Sequence, residues 1–202
     1  VLKDISRKPV FVNRAGGWCL QPFDTVKNIL KENGVFVDST VFKNGHYKSN
    51  HYYYDFRNCP DKTSWRFEND PLLESENGFF KEVAISSHIV SPFFYWMLFF
   101  LGRWNPKFHK PMGDGQAMKT PWQRFKLLTT FTNQTVSIEG YNAKLLQQAL
   151  KGIQKRKKGD EFVVIGHPKS LSRYSLYALD AFIAENKPKH SFTTYAQEYK
   201  SA

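Results

Sequence analysis

The sequence is poor in cysteine, in acidic residues and in long apolar runs, and each shortage is informative. Cys19 and Cys59 are the only cysteines in 202 residues. Two thiols build neither a disulfide framework nor a zinc knuckle, so free thiols are expected. Only 18 Asp and Glu stand against 29 Lys and Arg, giving a formal net charge of +11. A field of that sign draws anionic partners such as acidic glycans, lipid headgroups or nucleic acid, and is silent about fold. A plain basic enzyme surface is the other reading. The chain opens Val1-Leu2-Lys3-Asp4, with no initiator methionine and no leader pattern, so an upstream segment is expected. No apolar run is long enough to span a bilayer.

What is present is a globular core and a surplus of aromatic residues. The hydrophobic fraction is 41% and the aromatic fraction 16%, with eighteen Phe, ten Tyr and five Trp. That fraction rules out a disordered chain. The aromatic excess suits stacking on sugar rings or contact with a membrane interface.

Residues 9–12 read as a short buried strand, followed by Arg14-Ala15-Gly16-Gly17-Trp18 in a tight loop. Pro22 marks a helix start, with Phe23, Val26, Ile29 and Leu30 at helical spacing and Gly34 as its stop. Residues 35–39 form the next strand, so the opening is a βαβ unit. Residues 51–57, 65–68 and 79–85 are aromatic strands separated by turns, a hairpin-rich stretch. Residues 89–104 are the most apolar, and residues 106–121 are a loop rich in Pro and Gly with Lys107, Lys110 and Lys119. Strand 135–139, helix 143–155, strand 161–167, helix 171–186 and a last strand at 191–195 complete the chain. Repeated βα units predict a parallel sheet covered or closed by helices, with chemistry at the C-terminal strand ends. Arg14, Asp38, Glu139 and His167 all fall at such ends.

His167 closes an apolar strand and is fixed by Pro168. It reads as a proton shuttle, or as a strand-capping histidine satisfied by a carbonyl. Arg14 can clamp a carboxylate in two-point fashion, or lie free at the surface. Asp38 can orient an imidazole, or serve as a turn aspartate. Trp18 can wall a sugar site, or simply pack. His46 and His51 have the wrong spacing for a metal pair, and His88, His109 and His190 have no second ligand nearby. The run from Lys151 to Lys158 suits a solvated helix C-terminus. No nucleic-acid motif accompanies it, so nucleic acid is not expected as a partner.

In order and spacing, these features resemble the polysaccharide deacetylase (NodB-homology) family. The resemblance rests on Arg14-Ala15-Gly16-Gly17-Trp18, on Gly34 to Thr40 and on Tyr54-Asp55-Phe56-Arg57. It continues through Gly78 to Ile85, with Ala84 in place of the usual proline, through Ile165-Gly166-His167-Pro168, and through Phe192-Thr193-Thr194-Tyr195. It implies an α/β fold: a distorted (β/α) barrel or its later part, one domain over residues 1–202 incomplete at its N-terminus, with an insertion at about residues 41–130. It implies a hydrolase that removes N-acetyl groups from a bacterial polysaccharide or lipid-linked glycan, in the cytoplasm or at the membrane periphery. His167 would be the acid, Arg14 would hold the catalytic aspartate, and Asp38 would orient His167. Gly16, Gly17 and Trp18 would meet substrate. The family uses a divalent metal, usually zinc. Its first two motifs, an Asp-Asp pair and a His-x-x-x-His pair, precede the arginine motif and have no match in residues 1–13. No metal ligand is therefore expected in this chain, and an upstream segment or second chain would supply the ligands and the base. The alternative is a non-catalytic glycan-binding or membrane-surface module, with residues 93–104 lying against lipid.

Overall fold

The computed structural model describes residues 7–113, 121–156 and 159–199. Lys119, Lys157 and Lys158 of the basic stretches lie outside them. The chain divides into two compact units, each assembled from separate stretches. The first comprises Val1–Ile85, Lys157–Val163 and Ser191–Ala202, and the second Ser86–Arg156 and Val164–His190. The hairpin-rich insertion expected at residues 41–130 is thus divided between the units at Ile85.

The first unit is organised by a four-stranded sheet in the order β1 (Val12–Asn13), β2 (Val37–Asp38), β6 (Phe80–Val83) and β5 (Ser64–Phe67). β1, β2 and β6 run parallel, while β5 is antiparallel to β6. The connection from β1 to β2 carries helix α1 (Asp24–Glu32), which completes the expected βαβ unit. Asp24 sits in the first turn, where a carboxylate complements the helix dipole, and Phe23 just before it is buried. Phe23, Phe67 and Phe80 pack ring to ring at 5.0–5.4 Å. Strands alternate faces with period two, so register decides which side chains meet. Val12 lies opposite Val37, and Asn13, Asp38 and Glu82 form one row across the three parallel strands. Phe11, Val37 and Val83 form a core flanked by Val163, Tyr195 and Tyr199 from the two later stretches. A separate hairpin, β3 (His46–Lys48) with β4 (Tyr53–Asp55), carries exposed tyrosines.

The last expected strand, at 191–195, is not one. Residues 191–194 are irregular and Tyr195–Glu198 is a short helix, α7. The β-branched and aromatic residues suggested extension, but Gln197 Oε1 accepts from the Thr194 backbone N–H at 2.9 Å, and this capping contact starts a helical turn.

The second unit opens with the antiparallel pair β7 (Ser87–Val90) and β8 (Thr132–Thr135). Helix α2 (Pro92–Trp104) begins with proline, whose missing N–H costs nothing in a first turn. A short helix α3 (Pro106–His109) starts the same way, inside the stretch expected to be loop. Helix α4 (Pro121–Thr129) packs on α2. Val90, Phe94 and Tyr141 form the core beside Met97, Leu98 and Leu101. Helix α5 (Leu146–Arg156) buries Leu146, Ala149, Leu150 and Ile153, the i, i+3, i+4, i+7 stripe of an amphipathic helix. The stretch before it, Gly140–Leu145, winds as a 3-10 helix. Helix α6 (Arg173–Asn186) is capped by two buried serines: Ser175 N donates to Ser172 Oγ at 3.1 Å and Ser172 N to Ser175 Oγ at 2.8 Å. Among the described residues no helix is long and apolar enough to cross a membrane.

Candidate functional site

In the second unit, Ser137 and Ile165 form a parallel bridge, with Ile138 N donating to Ile165 O at 3.0 Å and Ile165 N to Val136 O at 3.1 Å. Glu139 and His167 each lie two residues beyond that bridge, so equal spacing brings them to the same end and face. Close approach requires Gly166, where a Cβ would come within 2.5 Å of the Ile138 side chain. The carboxylate of Glu139 accepts from the His167 backbone N–H at 2.8 Å and also engages imidazole Nδ1 with the same oxygen. Since a carboxylate only accepts, Nδ1 carries the proton and Nε2 is the free nitrogen. The histidine side chain is 63% exposed and the glutamate 25%, so the carboxylate is shielded while Nε2 opens to solvent. Glu139 N is held by Ser137 Oγ at 3.0 Å, which fixes the carboxylate's backbone.

Arg14, Asp38, Trp18 and both glycines of the loop belong to the first unit. Arg14 Nε donates to Ser39 O at 2.8 Å, and Nη2 donates to Ser39 Oγ at 3.0 Å and to the Tyr195 hydroxyl at 3.1 Å. Ser39 Oγ and Tyr195 Oη are 2.6 Å apart, closing a triangle, and Ala15 N donates to Thr40 Oγ1 at 2.9 Å. Among the described residues, the guanidinium holds the strand end and α7 together rather than a carboxylate. Gly17 has φ +62°, a backbone that suits glycine, and Trp18 packs edge-on against Phe42 and Tyr54 at 5.2 and 5.7 Å. Burial pushes the Tyr54 phenol up to about 12, with the neighbouring Cys19 and Tyr47 adding to the shift. Among the described residues nothing lies within 4 Å of a Cβ added at Gly16.

Asp38, expected to orient His167, is buried in a carboxyl cluster of its own unit. Asn13 Nδ2 donates to its Oδ1 at 2.6 Å, and Thr40 N donates to its Oδ2 at 3.0 Å. Thr40 Oγ1 also donates to Oδ1, at 3.1 Å. The carboxylate that meets the imidazole is instead Glu139. Glu82, next to Asp38 in the sheet row, accepts from Val41 N at 3.0 Å and Thr40 N at 3.2 Å, both through Oε1. Its Oε2 is buried and receives no donor among the described residues. An acceptor without a donor, facing a second carboxylate, is best satisfied by carrying a proton and donating it to Asp38. Burial and the neighbouring charge of Asp38 accordingly push Glu82 well above the usual carboxylate range. Desolvation raises Asp38 as well, against its hydrogen bonds.

No group of three or more His, Cys, Asp or Glu among the described residues is arranged to hold a metal. His46 Nδ1 lies 3.1 Å from Asn44 O, and His190 Nε2 lies 3.0 Å from Gln154 Nε2. Among the described residues the Nδ1 atoms of His88 and His109 are buried without hydrogen-bond partners, and burial lowers both imidazoles. Glu82, Ser39 and Tyr195 were not assigned roles from sequence, and Glu139 was noted only as a strand-end residue. The available signal was that Glu139 and His167 each close a short apolar run just before a Gly or Pro. No family model, curated protein or solved structure matches the chain.

Proposed function

We propose that this chain takes part in hydrolysis of N-acetyl groups on a bacterial polysaccharide or lipid-linked glycan, as a polysaccharide-deacetylase-type domain with His167 as its proton donor. The observation that carries this reading is the double engagement of His167 by Glu139. Breaking an amide C–N bond leaves an amine that must gain a proton as the bond parts. An imidazole whose Nδ1–H is tied to a carboxylate holds one orientation, and the doubly protonated ring would give its Nε2 proton to the departing amine and be left neutral. Glu139 is thus a positioning residue and His167 the catalytic one. The parallel strands β1, β2 and β6 are in keeping with a (β/α) barrel of the kind the resemblance implies. Arg14, through Ser39 and Tyr195, sets the path of the loop carrying Gly16. The family's zinc would polarise the acetyl carbonyl and activate water. The described residues do not fit it, so water activation is not assigned to this chain.

The test is acetate release from N-acetylglucosamine oligosaccharides by the natural protein containing this chain, with zinc supplied. His167→Ala is expected to lower turnover about 100- to 10,000-fold, the usual contribution of a general acid. Glu139→Gln is expected to lower it less and to distort the pH–rate profile with KM little changed. Unaltered turnover in His167→Ala refutes the catalytic assignment. Wild-type protein that binds the oligosaccharides without releasing acetate is the non-catalytic module instead.

A further inference from the structure

We propose that the second unit docks on an anionic phospholipid surface through an aromatic and basic face built on α2 and α4. This rests on observations independent of His167. Helix α2 carries two apolar stripes where an ordinary core helix carries one. The inner stripe, Phe94, Met97, Leu98 and Leu101, belongs to the core cluster. The outer stripe, Phe93, Trp96, Phe100 and Trp104, repeats at i, i+3, i+7 and i+11, one side of a helix. Phe93 is 76% exposed, Phe100 61% and Trp104 88%. Helix α4 extends the same kind of surface: Trp122 and Phe125 stack at 5.8 Å and are both exposed, and Trp96 Nε1 donates to Leu128 O at 3.1 Å. Exposed apolar surface of this extent on adjacent helices marks a binding face.

Charge and composition select the occupant. Between Val83 and Ile138 the sequence holds Arg103, Lys107, Lys110, Lys119, Arg124 and Lys126 against a single acid, Asp114. All of these cations except Lys119, which lies outside the described residues, are exposed. Arg103 holds its guanidinium over the Phe99 ring, 3.9 Å from the ring centroid. Phe and Trp with a lysine and arginine rim is the composition of a helix lying in a lipid interface, the rings entering the headgroup boundary and the cations meeting anionic headgroups. Protein–protein interfaces are depleted in lysine, which sets a soluble partner second.

The test is co-sedimentation of the whole chain with vesicles of phosphatidylcholine and phosphatidylglycerol, with phosphatidylcholine vesicles as reference. Binding to the anionic vesicles with a blue-shifted tryptophan emission is expected. A Phe93→Ser, Phe100→Ser, Trp104→Ser variant is expected to bind about tenfold more weakly or worse, because burying even one such ring is worth about that much. A Lys107→Glu, Lys110→Glu, Arg124→Glu variant is expected to lose the preference for phosphatidylglycerol and most of its salt sensitivity. All substituted side chains are exposed, and an unaltered circular dichroism spectrum checks that both variants fold. No sedimentation of the wild type, or equal binding by the serine variant, overturns the proposal. So does binding without a change in emission, which would be electrostatic adhesion alone. Self-association of the wild type that the serine variant abolishes, without vesicle binding, would make this face an interface between copies of the chain.

Discussion

Replacing Glu82 with glutamine separates the proton on the buried carboxyl pair from the hydrogen bonds around it. Glutamine keeps an oxygen for the Thr40 and Val41 N–H groups and offers an N–H to Asp38, but it cannot titrate. In the wild type, the raised position of Glu82 means that the folded chain keeps a proton which the unfolded chain releases above its ordinary value of 4.5. The folded state therefore binds more protons, and stability falls as pH rises through this window, by about 1.4 kcal/mol per pH unit for one proton. Below the ordinary carboxylate range the contribution is fully present and flat. Glu82→Gln is expected to flatten the slope and to lie within about 1 kcal/mol of the wild type near its most stable pH. Glu82→Ala leaves Val41 N without a partner, while Thr40 N keeps Asp38. One orphaned buried donor costs about 1–3 kcal/mol, and the cavity adds to it. Urea unfolding between about pH 5 and about pH 8, followed by circular dichroism and tryptophan emission, measures both quantities. Trp65, buried and opposite Glu82 in the sheet, reports on this unit. A glutamine variant with an unaltered slope, or one as unstable as the alanine variant, would refute the shared-proton account.

Two further predictions concern single positions in the first unit. A Cβ at Gly78 would stand 2.3 Å from the Phe67 carbonyl oxygen, a backbone atom that cannot yield cheaply. Gly78→Ala is expected to cost about 1–3 kcal/mol in urea unfolding. Gly16→Ala, which meets nothing within 4 Å, is expected to be near neutral, and equal costs would contradict this geometry. Cys19 is exposed, whereas Cys59 is buried and its thiol is pushed up by that burial. Titration with an aromatic disulfide reagent is therefore expected to find one reactive thiol in the native protein and two after unfolding, and two in the native state would contradict the burial of Cys59.

The elements that sequence made legible are those whose signal is local. The helix at 171–186 is recognised from its apolar spacing, and α6 occupies Arg173–Asn186 because Ser172 and Ser175 cap it there. The βαβ opening follows from Gly, Pro and apolar runs in the expected order. Residues 191–195 were misread because composition favoured extension while a single capping contact between Thr194 and Gln197 decided the outcome. At the candidate site, His167 was legible from its place after an apolar run. The role of Glu139 was not, because it depends on the register of Ser137 against Ile165, which sequence spacing does not encode. Glu82 was hidden for a related reason. A glutamate amid Phe80, Lys81 and Val83 reads as strand decoration, and only the row formed with Asn13 and Asp38 turns it into a buried acid.

The interleaving of the two units in the chain dictates an order of events at the ribosome. The polypeptide leaves the first unit at Ile85, returns at Lys157, departs again at Val163 and comes back at Ser191. Thr63 and Ser64 must wait for Glu161, and Ser39 and Arg14 must wait for Tyr195. The N-terminal sheet can pair within itself, but the core that Val163, Tyr195 and Tyr199 complete stays uncovered until those residues are made. A protein threaded in this way is vulnerable to interrupted synthesis: a product ending anywhere before Tyr195 carries an Arg14 loop that has lost one corner of its triangle.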